Sequence, residues 1–218
     1  MKARRIAQVI LVALVIAYAA VLAAPQALAF PFTATVGKYR VYSERPIDAA
    51  ALTMVLVKAD ARLATSPINQ PPLAHSIFLT DGGWRWRVLA TGAEGGFALS
   101  RGYSDAIIVN SSDIAGDRVT NGAAIGGTRP LSQVIAHEAT HGLLRRRYGV
   151  LIDFTAPQWK REGYCDYVAG GGSLSDGDVQ RLTAMHRAHP ALPYYFGRKR
   201  VAAFLATPDA TVDTLFGK

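Results

Sequence analysis

The sequence is poor in cysteine and in glutamate. Cys165 is the only cysteine among the 218 residues, so no disulfide can form within the chain. The stability of the fold must therefore come from a packed core and from any metal that the chain binds. Only four glutamates are present, and no repeat or low-complexity block occurs. Basic residues do not alternate with aromatic ones along any stripe, so we do not expect a nucleic acid as a partner.

The N-terminal segment is the most apolar part of the chain. An uncharged run of 19 residues, 6–24, follows three basic residues. This run exceeds the roughly 7–15 apolar residues of a signal peptide and reaches the roughly 17–25 that span a bilayer, which favours a membrane anchor. Ala27-Leu28-Ala29 nevertheless has the small-x-small pattern of a cleavage site, so removal of residues 1–29 as a signal peptide stays open.

Both alternatives predict that residues 30–218 form one domain of the cell envelope. The basic residues before the apolar run stay on the cytoplasmic side of a membrane, so the domain faces outward. It is anchored by a single pass if the segment is kept, and secreted or periplasmic if cleavage follows Ala29. The formal net charge of the chain is +8, and the surplus of five that remains after residue 29 suits an anionic envelope surface. The sequence indicates no oligomeric state.

Strand patterns precede helix patterns along the chain. Residues 111–129 are rich in glycine and polar residues and predict a long surface connection. From Pro130 onward the pattern is helical, with breaks at Gly170–Gly172 and between Pro190 and Pro193. This order predicts an α+β domain without βαβ alternation. The predicted early elements are a strand at Lys38–Tyr42, a helix at Ile47–Ala64, and strands at His75–Thr80, Gly96–Ser100 and Ala106–Asn110.

The first helix after residue 129 carries the most specific motif in the chain. Pro130 suits its first turn, and Gly149 suits its end. Within it, the stretch His-Glu-Ala-Thr-His places His137, Glu138 and His141 on one helical face. Two imidazoles one turn apart can bind the same Zn²⁺, and a glutamate between them can serve as a general base. The motif therefore predicts a catalytic zinc site.

A catalytic zinc needs a third protein ligand, and the next helical segment supplies a candidate. Glu162 and Asp166 are four residues apart, so they share a face. If Glu162 binds the metal, Asp166 can reach a ligand histidine and orient it as a hydrogen-bond partner of His137. Cys165 lies between them and should point off this face, so we expect it to pack in the core rather than bind metal.

Both motifs together resemble those of the gluzincin metallopeptidases, the thermolysin-like and peptidase MA-like group. His-Glu-Ala-Thr-His is followed by Trp159-Lys-Arg-Glu-Gly-Tyr-Cys-Asp-Tyr167, which is similar to the second-helix pattern of that group, and the match covers Gln133–Val168. The resemblance implies a zincin-like domain in which a small N-terminal sheet with a helix precedes a helical C-terminal part that carries the metal site.

The resemblance also implies a role for each matching residue. His137, His141 and Glu162 would bind one catalytic Zn²⁺, Glu138 would act as the general base, and Asp166 would orient a ligand histidine. In that group a Tyr or His on a later helix often donates a hydrogen bond to the oxyanion. Candidates here are Tyr164, His186, His189, Tyr194 and Tyr195, of which the adjacent Tyr194 and Tyr195 are the first to consider.

The expected function is a zinc-dependent peptidase that hydrolyses peptide bonds of a peptide or protein substrate outside the cytoplasmic membrane. One alternative is a catalytically inactive zinc-binding domain that recognises a partner. Glu138 argues against this alternative, because a structural zinc needs no base. Another alternative is a zinc amidohydrolase that acts on a non-peptide substrate of the envelope.

Overall fold

The computed structural model describes residues 2–104 and 106–218. It begins with helix α1 (Lys2–Ala23), followed by a 3-10 turn at Pro25–Leu28. Among the described helices, α1 alone is long and apolar enough to cross a membrane, with a mean hydropathy of 2.7 over Arg4–Ala23 and no part of that window buried. A membrane anchor and a signal sequence both fit this helix.

A five-stranded sheet follows, with α-helices on both of its faces. Its order is β1-β2-β3-β5-β4, with parallel pairing of β2, β3 and β5 in the centre and antiparallel pairing at both edges. All four residues of β5 are buried, as expected for a central strand. The elements of this half are β1 (Phe32–Val36), β2 (Tyr39–Ser43), α2 (Ala49–Leu63), β3 (His75–Leu79), α3 (Trp84–Leu89), β4 (Ala98–Ser100) and β5 (Ala106–Val109).

Helix α2 forms where the sequence predicts a helix. The side chain of Asp48 caps it by accepting hydrogen bonds from the backbone N–H groups of Ala50 and Ala51. Its buried residues follow the spacing of one helical face, and they are Leu52, Val55, Leu56, Ala59 and Leu63. Because α2 connects two parallel strands, β2-α2-β3 is a βαβ unit. The prediction of a fold without such a unit is wrong, since short apolar runs do not reveal whether strands pair parallel or antiparallel.

Residues 111–129 lie mostly at the surface, as predicted, but they are not a plain loop. They form a small antiparallel sheet of β6 (Ser111–Asp113), β7 (Arg118–Thr120) and β8 (Thr128–Arg129). These strands are too short and polar to show any periodicity. The side chain of Asp117 accepts hydrogen bonds from the backbone N and the hydroxyl of Ser132, at 2.7 and 3.0 Å, and so joins this sheet to the next helix.

The remaining chain is helical and carries the predicted metal site. Helix α4 packs against α2 and the sheet on one side and against α6 on the other. Helices α6 and α8 cross so closely that a Cβ atom on Gly163 would lie only 2.5 Å from the carbonyl carbon of Gly197. The helices are α4 (Leu131–Tyr148), α5 (Ile152–Thr155), α6 (Gln158–Val168), α7 (Asp176–Ala184), α8 (Leu192–Leu205) and α9 (Val212–Phe216). At the coarse level, the mixed architecture agrees with the α+β prediction.

Candidate metal centre

Helix α4 places the motif inside the protein rather than on its surface. His137, Glu138 and His141 retain only 6, 8 and 9% of their exposure, and nearly every residue of α4 before its last turn is buried. The two imidazole rings lie 5.1 Å apart, at an interplanar angle of 71°. Polar side chains on a helix that is buried on all sides need hydrogen-bond or ionic partners.

Helix α6 brings Glu162 to both histidines. Its Oε2 atom lies 3.4 Å from Nε2 of His137 and 3.5 Å from Nε2 of His141. The other carboxylate oxygen, Oε1, accepts a hydrogen bond from Nε of Arg161 at 2.9 Å. One oxygen of Glu162 therefore faces the histidines while the other is held by a neighbouring cation.

Asp166 supports His137 from the opposite side of the ring. Its Oδ1 atom lies 2.7 Å from Nδ1 of His137 and accepts a hydrogen bond from Nη2 of Arg129 at 3.0 Å. Arg129 is itself buried and also donates to the carbonyl of Gly171 and to Oε1 of Gln133. The sequence analysis missed Arg129, because a single arginine in a polar segment carries no pattern that marks it as buried.

The charges of these groups depend on one another. Burial alone would lower the pKa of His137, but Asp166, with contributions from Glu162 and Glu138, raises it to about 10. Burial would raise the pKa of Glu162, but His141 and His137 hold it well below its ordinary value. The pKa of Asp166 is likewise lowered, against the effect of burial, by Arg129 and His137. Both carboxylates are thus ionised and surround the imidazoles with negative charge.

Cys165 lies closer to the histidines than expected. His137, His141 and Cys165 offer ligand atoms within 4.8 Å of one another, and this buried cluster could hold a metal ion. Cys165 packs in the core, as expected, but its position near both histidines differs from the expectation that it points off the face of Glu162 and Asp166. Burial, and then the neighbouring carboxylates, raise the pKa of the Cys165 thiol well above its usual range, which favours the protonated thiol.

The site opens into a cleft of about 810 Å³. His137, Glu138, His141 and Glu162 line one part of it, and edge strand β4 lines another. The loop of residues 92–96, which precedes β4, forms part of the same wall. The polar cluster and a strand edge therefore line the same cleft.

The five candidate oxyanion donors lie in different places. His189 and Tyr194 line the cleft, whereas the hydroxyl of Tyr195 donates a hydrogen bond to Asp176 at 2.7 Å, in a separate depression. The hydroxyl of Tyr164 is buried and lies 2.7 Å from that of Ser66, and His186 is exposed outside the cleft lining. Nδ1 of His189 accepts a hydrogen bond from the backbone N of Ala191 at 3.2 Å, so a neutral His189 carries its proton on Nε2.

Comparisons of the chain with known protein families, with curated proteins and with solved structures find no match. The resemblance to gluzincins, and with it the zincin identity of the fold, therefore stays a prediction based on the two motifs.

Proposed function

We propose that the chain is a zinc-dependent peptidase in which His137, His141 and Glu162 bind one Zn²⁺. One observation carries the proposal. Ligand atoms that lie 2.0–2.1 Å from a tetrahedral zinc are about 3.3–3.4 Å apart. The oxygen of Glu162 lies 3.4 and 3.5 Å from the two imidazole Nε2 atoms, which fits neighbouring ligands of a single ion. The spacing of these ligand atoms therefore supports a metal site that would need no movement of α4 or α6.

Glu162 fits the third ligand position better than Cys165 does. The Oε2 atom of Glu162 lies 3.4 and 3.5 Å from the two Nε2 atoms, whereas the ligand atoms of the cluster with Cys165 lie within 4.8 Å of one another. Glu162 also lines the cleft, whereas Cys165 is fully buried and does not. An ion held by Glu162 and the two histidines would therefore lie at the wall of the cleft, within reach of water and substrate, as catalysis requires.

Side chains of the protein would transfer the protons and orient the ligand histidine. Zinc at such a site acts as a Lewis acid and makes water more acidic. Glu138 lines the cleft beside both histidines, where it can take a proton from water and pass it to the leaving amine. Asp166 accepts a hydrogen bond from Nδ1–H of His137, which would leave Nε2 of that ring available to the metal. Tyr194 or His189 can donate a hydrogen bond to the developing oxyanion from the cleft wall.

The strand beside the site favours a peptide as substrate. Within the described sheet, β4 is an outermost strand, and residues 98–100 line the cleft. An extended peptide can pair with a free strand edge through its own backbone groups. A non-peptide amide of the envelope would not use this edge. By the orientation of its N-terminal segment, the enzyme would act on peptides outside the cytoplasmic membrane.

A structural metal is the second candidate, and the position of Cys165 favours it. His137, His141 and Cys165 are all buried and could hold a metal ion. The domain would then be an inactive zinc-binding module that recognises a partner.

Three variants separate the two candidates. In Glu138→Gln, we expect zinc content close to that of the wild type and turnover of a peptide library lowered by about 10²–10⁴-fold, because the base is lost and the ligands remain. Glu162→Gln should lower both zinc content and turnover, whereas Cys165→Ser should keep both. Metal analysis and peptide cleavage measure these results.

The opposite pattern, in which zinc is lost from Cys165→Ser and retained by Glu162→Gln, would establish the structural metal. Wild-type protein that holds zinc, cleaves simple N-acyl amides and leaves every peptide intact would show an amidohydrolase instead.

A further inference from the structure

The outer end of α1 is attached to the domain rather than connected by a free linker. The hydroxyl of Tyr18 lies 2.8 Å from Oγ1 of Thr91 and 3.1 Å from the carbonyl oxygen of Val88. Tyr18 precedes the end of α1 at Ala23 by five residues, or about 7–8 Å along the helix. Residues 88–91, which include the end of α3, are therefore level with the last turns of the candidate membrane span.

The connection between α1 and β1 is also held in place. Arg85 donates hydrogen bonds to the carbonyls of Leu28 and Ala29, at 2.9 and 3.2 Å. It also forms an ion pair of 2.7 Å with Glu44, in which both side chains are largely buried. Phe30 follows directly and packs in the core beneath the sheet. These contacts fix the orientation of the domain relative to α1.

Contacts lead from this junction to a set of exposed apolar side chains. Arg101 donates to the carbonyl of Leu89, beside Thr91, and to the hydroxyl of Tyr103 at 2.9 Å. A Cβ atom on Gly102 would lie 3.8 Å from Oδ2 of Asp153, so this loop also borders α5. The exposed side chains along this path form the apolar patch, which consists of Tyr103 (63% exposed), Val150 (58%), Leu151 (66%) and Phe154 (86%).

We propose that the apolar patch rests in the headgroup region of the same bilayer that α1 spans. Large apolar side chains grouped on a surface mark a site of contact, and tyrosine at the end of a span is typical of the membrane interface. Arg101, which donates a hydrogen bond to Tyr103, provides positive charge beside the patch, and this suits anionic lipid headgroups. Arg101 links Tyr103 of the patch to Leu89, next to the residues that Tyr18 of α1 contacts, and this continuity selects the bilayer as its partner.

The cleft lies next to the residues of this proposed membrane contact. Residues 92–96 line the cleft directly after Thr91, and Asp153 lines it next to Phe154. The cleft therefore opens beside the bilayer, where segments of membrane-anchored chains emerge. The membrane contact itself does not depend on the proposed peptidase activity, because it involves none of the metal-binding residues.

Single-cysteine labelling of the full-length chain in lipid nanodiscs tests the contact. Cys165 is fully buried, so a thiol-reactive, polarity-sensitive fluorophore reports on an introduced cysteine. Phe154→Cys and Tyr103→Cys are the test positions. The matched control is Met54→Cys, which is 57% exposed on α2, on the other face of the sheet from α3.

We expect blue-shifted emission at both test positions, and loss of that emission when the lipid carries a spin label in its headgroup region. The control should show neither change. Emission at Phe154→Cys that spin-labelled lipid does not quench would overturn the proposal, whether water or another protein surrounds the probe. A mature chain that lacks residues 1–29 would overturn it as well. Repeating the measurement in Glu138→Gln should give the same result, which separates this contact from the peptidase chemistry.

Discussion

The Nδ1 atom of His137 lies 2.7 Å from the Oδ1 atom of Asp166, which is fully buried. This contact joins α4 to α6 and turns the Nε2 atom of His137 towards Glu162. A carboxylate that holds one ring nitrogen fixes the tautomer and leaves the other nitrogen available to a metal.

Replacement of Asp166 by Asn should weaken zinc binding without removing a ligand. The amide keeps the size of the side chain but loses the negative charge that supports the imidazole, so affinity should fall by about 10–100-fold. Competition with a chelator of known affinity measures this change. Asp176→Asn is the control, because Asp176 is exposed and lies outside the cleft lining. Equal affinities in the two variants would contradict the role of Asp166.

Arg129→Met should destabilise the fold as well as the site. It removes the buried cation from Asp166 and leaves the carbonyl of Gly171 without this donor, and breaking such a buried pair costs about 3–5 kcal/mol. Arg118→Met removes a matched but exposed ion pair with Asp113 and should cost less than about 1 kcal/mol. Urea unfolding of the two variants gives both free energies. If Arg129→Met lowered the free energy of unfolding no more than Arg118→Met does, the ion pair of Arg129 with Asp166 would not stabilise the fold.

Gly163→Ala should separate α6 from α8 and so displace Glu162, the proposed metal ligand on α6. The new methyl group would overlap the backbone of Gly197, and overpacking of this kind typically costs about 1–3 kcal/mol. Gly177→Ala, in exposed helix α7 with only ordinary contacts, should instead be neutral or stabilising by up to about 1 kcal/mol. Thermal unfolding distinguishes them, and a Gly163→Ala variant with unchanged Tm would refute the close crossing.

The stability of the metal-free protein should decrease at alkaline pH. The pKa of His137 is raised to about 10 from an ordinary 6.5, so its protonation stabilises the folded state. This contribution is complete below about pH 6.5 and is lost as the pH rises to about 10. The free energy of unfolding, measured in urea over this window, should fall more steeply for the wild type than for His137→Asn. Parallel curves would show that His137 gains no proton on folding.

The same proton competes with zinc for His137. The apparent zinc affinity should therefore rise with pH over the same window, by about tenfold per unit for each proton displaced. Calorimetry in buffers with different heats of ionisation counts these protons. A pH-independent affinity would mean that the metal does not bind through His137.

Tyr194→Phe should lower kcat if the Tyr194 hydroxyl stabilises the oxyanion. Loss of one such donor costs about 10²–10³-fold in kcat. Tyr195→Phe is the matched control, because the hydroxyl of Tyr195 is held by Asp176 away from the cleft. If Tyr194→Phe retains full activity and His189→Asn does not, His189 is the donor.

Local patterns in the chain were sufficient to predict several elements. Spacing along one helix puts His137, Glu138 and His141 on a common face whatever the rest of the fold does, because helical geometry is local. The apolar face of α2 and its cap at Asp48 were predictable for the same reason. The apolar run of residues 6–24 identifies α1 as a candidate span by length and composition alone.

Relationships between distant parts of the chain were not predictable in this way. The parallel pairing of β2 with β3, the small sheet of residues 111–129 and the burial of Arg129 all depend on contacts that no short window contains. Cys165 was expected to point off the face of Glu162 and Asp166, because the geometry of an isolated helix does not include the approach of α4.

The sequence by itself determined which ligand types are available and how they are spaced within each helix, because 3.6 residues per turn sets those positions locally. Only the tertiary structure decided that Glu162 lies 3.4 Å from His137, that Asp166 is paired with Arg129, and that Tyr194 rather than Tyr195 faces the cleft. These relationships depend on how α4, α6 and α8 cross. That crossing is set by side-chain packing between segments far apart in the chain, including the glycine contact between α6 and α8.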